Sequence, residues 1–226
     1  DLAKGYKLET KGEKTQFIID MPRKNWMNYS EGSNLIIYMP KKSELDFEGI
    51  DVDVTVSDLH ATVKIKTVNG EINAAALNGR ISLDTVNGDI NTDNISGNLH
   101  FETVNGDIDD NYSNGKVRFF AVNGDIESRT SATDIRLENV SGKVNFVLAS
   151  LSDLRLNTVD GEVEINVAKL NDNGRINIET VSGDVSLYFP ANTSAKFNIN
   201  AFAGGRIINE LSQDKVMISK YGASRE

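Results

Sequence analysis

The chain has 226 residues, is 39% hydrophobic and 25% charged, and carries a net charge of -9 with an isoelectric point near 4.8. That length supports a sizeable core in one large domain or two small ones, while no run approaches the roughly 18 to 20 apolar residues of a membrane helix. The acidic balance works against a general nucleic-acid or anionic-membrane binder, whose affinity comes from neutralising phosphate, and a chain without cysteine has neither disulfides nor thiolate metal sites.

In chain order, Asp1 opens no recognisable signal sequence, as expected of a trimmed mature chain. Residues 1–45 hold QFIID, NLIIYMP and Trp26 without internal repetition. They predict capping strands. From residue 46 a motif recurs: TVNGEI at Thr67, TVNGDI at Thr85 and Thr103, AVNGDI at Ala121, NVSGKV at Asn139, TVDGEV at Thr158 and TVSGDV at Thr180. The steps between copies are 18, 18, 18, 18, 19 and 22 residues. Weaker echoes start midway, at Ala76, Asn94 and Asn111.

Stacking the chain at this period gives columns. Val68, Val86, Val104, Val122, Val140, Val159 and Val181 form one, and Ile72, Ile90, Ile108, Ile126, Val144, Val163 and Val185 another. Ile81, Leu99, Val117, Ile135, Leu154 and Ile176 form a third, and two residues on come Leu83, Phe101, Phe119, Leu137, Leu156 and Ile178. The two-residue alternation is a strand period. A meander would not place identical columns one full period apart, whereas a coil that advances one rung per turn does so automatically. The sequence therefore predicts an all-β, single-domain parallel β-solenoid, or β-helix, over 46–189 with about 18 residues per coil. A right-handed coil is expected from the handedness of parallel crossovers, and about eight coils at roughly 4.8 Å spacing give a rod on the order of 40 Å long. After Pro190 the pattern breaks, and 190–226 reads as an irregular turn and a polar tail.

The corner residues Asn69-Gly70, Asn87-Gly88, Asn105-Gly106, Asn123-Gly124, Ser141-Gly142, Asp160-Gly161 and Ser182-Gly183 predict a stacked turn ladder, because Gly and Asn suit sharp turns and side-chain amides can bond along the stack. Beside it, Glu71, Asp89, Asp107, Asp125, Glu162 and Asp184 share a corner. Asp89, Asp107 and Asp125 are the weak candidates for calcium, since hard cations take several oxygens, but a solvated acidic edge fits better and no metal is expected. Thr67, Thr85, Thr103, Thr158 and Thr180 resemble the threonine arrays of ice-binding solenoids; Ala121 and Asn139 interrupt them, and ice binding is not expected. His60 and His100 fall at different coil positions, so a histidine-based metal site is not expected either.

Between the apolar positions lie a basic stripe, with Ser82, His100, Arg118, Arg136, Arg155 and Asn177, and an acidic one, with Asp84, Glu102, Phe120, Glu138, Asn157 and Glu179. One reading is a salt-bridge ladder on a solvated face. The other is a linear ligand site, in which Arg118, Arg136 and Arg155, with Phe120 and His100, take an extended acidic glycan, because arginine donates in pairs to carboxylate and sulfate.

The motif T-V-N/S-G-D/E-I, preceded by NLIIYMPKKSELDFEGIDVDVTV and followed by VSLYFPANTSAKFNINAFAGG, resembles the bacterial DUF4097 family of adhesin-like β-strand repeat proteins across about residues 30–210. The resemblance implies a right-handed β-solenoid of the cell envelope, periplasm or secreted space, involved in cell adhesion, with no catalytic motif and no cofactor. Family members often finish with one further repeat, so a native end cap is expected to be missing here. The function expected is a noncatalytic binding module for a repetitive glycan or an envelope protein. The rivals are a self-assembling scaffold and, with less support from such uniform coils, a polysaccharide-acting enzyme.

Overall fold

The structure is a computed structural model that describes residues 6–11, 14–19, 34–191, 193, 208 and 210. The chain divides into two units, Asp1–Tyr38 and Met39–Glu226. In the first, Tyr6–Lys11 and Lys14–Ile19 pair antiparallel in a hairpin. Residues 34–40 form no strand, so NLIIYMP departs from the predicted capping strands, and Trp26 lies outside the described residues. The irregular turn and tail expected after Pro190 also lie almost wholly outside them.

The second unit is the predicted parallel β-solenoid. Two eight-stranded parallel sheets face one another, the first running from Leu45–Glu48 to Leu170–Thr180 and the second from Val54–Ser57 to Val185–Tyr188. Each coil contributes one strand to each sheet, and every strand pairs with its equivalent one coil further on: Phe101 opposes Phe119, and Ile108 opposes Ile126. No helix occurs among the described residues. The two longer coils are absorbed locally: the 19-residue coil takes its extra residue between Leu148 and Asp153, which pair with Thr130 and Asp134, and the 22-residue coil is taken up by a register shift between Leu151 and Asp153 against Leu170 and Arg175.

Three of the four apolar columns face the core. Ile72 to Val163, Ile81 to Leu154 and Leu83 to Leu156 are buried throughout, and Phe101, Phe119 and Phe146 stack edge-on and tilted with centroids 5.6 and 5.4 Å apart. The valine column points the other way, with Val68, Val86, Val140, Val159 and Val181 exposed. The reason is strand alternation: from Leu83 inward, Asp84 is out, Thr85 in and Val86 out. Thr67, Thr85, Thr103 and Thr158 are consequently buried, and no outward threonine array exists at these positions. Where the corner requires it, Thr85 and Thr103 Oγ1 donate to the carbonyls of Gly70 and Gly88 in the preceding corner, at 3.3 and 3.1 Å.

Glycine is needed at the corners because of that close stacking. A Cβ at Gly124 would overlap the carbonyl oxygen of Gly106, and one at Gly106 that of Gly88. The asparagine amides do stack: Asn87, Asn105 and Asn123 each donate from Nδ2 to Oδ1 of the asparagine one coil back, at 2.9, 2.9 and 3.0 Å.

Candidate functional site

The outer face of the first sheet carries three neighbouring columns. Strand pairing stacks His100, Arg118, Arg136 and Arg155 on consecutive rungs, continuing Lys64 and Ser82. Two residues along each strand lies the mixed column Lys66, Asp84, Glu102, Phe120, Glu138 and Asn157. Two further on is the exposed valine ladder, which Ile50 extends at the first coil.

The salt-bridge ladder forms along only part of this face. Lys66 Nζ reaches Asp84 Oδ2 at 3.0 Å, and that bond holds the ammonium above its ordinary pKa. His100 Nε2 lies 3.2 Å from Glu102 Oε2, and Lys64 lies 3.8 and 3.9 Å from Glu48 and Asp46. Arg155 has a long contact of 3.8 Å to Asp153. Arg118 and Arg136 are exposed and make no ion pair among the described residues. Adjacent strands lie about 4.8 Å apart, so Arg118, Arg136 and Arg155 stand on three consecutive rungs of the sheet. Phe120 is half-buried beside them, facing a shallow groove of about 190 Å³ that Glu138, Val140, Asn157 and Val159 also line.

The acidic corner has a structural task. Asp89, Asp107 and Asp125 each accept, on Oδ1, the backbone N–H of the equivalent residue one coil on, at 2.8, 2.8 and 2.7 Å. These carboxylates are spread along the stack as backbone acceptors, and Asp53 does the same for Glu71 at 2.9 Å.

Two polar features inside the rod escaped the column reading. Asp110 is fully buried, accepting hydroxyl hydrogen bonds from Thr92 at 2.7 Å, Ser113 at 2.6 Å and Ser128 at 2.7 Å. Thr130 joins them, with its Oγ1 2.6 Å from that of Ser113. Burial pushes the Asp110 carboxyl above the ordinary aspartate range, against the three hydroxyls, which pull it down. The signal was in the sequence: Thr92, Asp110 and Ser128 fill a column that reads Ala74 before them and Phe146 and Ile165 after them. On the opposite sheet, Asn139 occupies an inward threonine position, and its amide, like the Thr158 hydroxyl, is buried without a hydrogen-bond partner among the described residues.

The fold and this face define a class: a parallel β-solenoid repeat protein whose sheet presents side-chain ladders. The chain matches the family model described as Toastrack DUF4097 over residues 2–224, well beyond the span that the motifs cover, and belongs to that family. No curated protein and no solved structure matches it.

Proposed function

We propose that this protein is a noncatalytic binding module of the bacterial cell envelope or secreted space, whose rod presents Arg118, Arg136 and Arg155 to an extended acidic glycan. The observation that carries the reading is the register of the three arginines on paired strands, with Arg118 and Arg136 exposed and unpaired among the described residues. An ion pair already formed would have to be broken to bind an anion; these two guanidinium groups carry no such cost. Phe120 adds an apolar surface for a sugar ring. A noncatalytic role is supported by the engagement of acids on this face and at the corner, since Asp84 is held by Lys66 and Asp134 by Lys116, and Asp89, Asp107 and Asp125 serve backbone amides.

The test is retention of the purified chain on immobilised acidic and neutral polysaccharides at low and high salt. Salt-sensitive retention on the acidic matrix alone is expected, and it disappears when Arg118, Arg136 and Arg155 are all changed to Glu. Unchanged retention in that variant sinks the site. The exposed valine ladder favours a second reading, a scaffold that assembles side by side through apolar contact. Concentration-dependent growth in light scattering, lost in a Val104→Asp, Val140→Asp variant, would favour it.

A further inference from the structure

We infer that Asp84, His100 and Glu102 form a surface site for a zinc-class divalent cation. Histidine spacing along the chain argued against such a site, but the sheet register supplies the missing ligands as carboxylates. Asp84 and Glu102 are direct partners on adjacent strands, and His100 stands two residues before Glu102 on the same face. One ligand atom from each side chain lies within 4.8 Å of the others. Nε2 of His100 is 3.2 Å from Glu102 Oε2 and 3.9 Å from Asp84 Oδ1.

Those separations suit the ion. A tetrahedral zinc with bonds of about 2.0–2.1 Å holds its ligands roughly 3.3–3.5 Å apart; His100 and Glu102 are already close to that spacing, and the Asp84 oxygen, 3.9 Å from Nε2 and within 4.8 Å of the Glu102 ligand atom, swings inward to complete three corners. Asp84 has a second oxygen, and Lys66 Nζ holds it at 3.0 Å. That bond orients the carboxylate from behind, as outer partners of metal ligands do. His100 and Glu102 are a little under half exposed, which leaves the fourth corner open to water or to a group from another molecule. The imidazole selects against calcium, which prefers six to eight oxygens. The site does not depend on polyanion binding, because none of its three ligands is among Arg118, Arg136, Arg155 and Phe120.

The experiment is isothermal titration of zinc chloride into the full chain carrying no histidine tag, with calcium chloride as the parallel titrant. One zinc per chain is expected, weakened at least tenfold in His100→Gln and in Glu102→Gln and unchanged in His60→Gln. All three substituted side chains are surface groups, so folding is retained. Absence of zinc binding to the wild type, equal affinity in His100→Gln, loss in His60→Gln, or calcium binding as tight as zinc would each overturn the site.

Discussion

Asp110 couples the stability of the solenoid to pH. Its carboxyl is buried, and its folded pKa is raised above the ordinary value of 3.8, with desolvation the leading cause. The native state therefore keeps this proton to higher pH than the unfolded chain does. Stability from this group is full below the ordinary value and declines as pH rises from there through the folded pKa. Asp110→Asn removes the ionisation but keeps an acceptor and a donor for the surrounding hydroxyls. It is expected to stabilise the protein by on the order of 1–3 kcal/mol at about pH 8 and by much less at about pH 4. Urea melts of both proteins at the two pH values give the difference directly. An equal effect at both would mean that the carboxyl titrates alike in the folded and unfolded chains.

At the scale of the element, the corners act as ladders. The Asn105 side chain donates to Asn87 and accepts from Asn123, whereas the Asn69 side chain accepts from Asn87 alone among the described residues. With about 0.5–1 kcal/mol per exposed amide bond, Asn105→Ala should cost about twice as much as Asn69→Ala. Unfolding midpoints of the two variants measure the ratio; identical costs would assign the asparagine preference to the turn itself. The corner glycines and asparagines were legible because glycine recurs at all seven corners in one register and asparagine precedes it at the first four, so the copies speak for each other. Strand direction at the valine was harder to read. Valine is apolar wherever it stands, and only the alternation carried through the intervening threonine shows that it faces solvent.

For the whole molecule, nearest-neighbour stacking makes stability a property of position along the rod. Interior coils are covered on both sides, but in the last described coil Ile176 and Ile178 are only half-buried, and Val181 and Val185 are 82% and 39% exposed. Hydrogen exchange is expected to be slowest in Ile90–Asp93 and Ile108–Asn111 and about two orders of magnitude faster in Val185–Tyr188. Uniform protection along the solenoid would show that it opens as one unit.

The repeat by itself determined the architecture, the coil length, the corner chemistry and the alignment of the three arginines, because each depends only on which residues recur at one period. The tertiary structure decided what depends on adjacency across coils. It turned the threonines inward and the valines out, left Arg118 and Arg136 without ion pairs among the described residues while Lys66 took Asp84, and brought His100 between two carboxylates from neighbouring strands. It also buried Asp110 among hydroxyls from three coils. Periodicity says which residues share a column; only the packed sheet fixes the few ångströms and the direction that decide what each side chain touches.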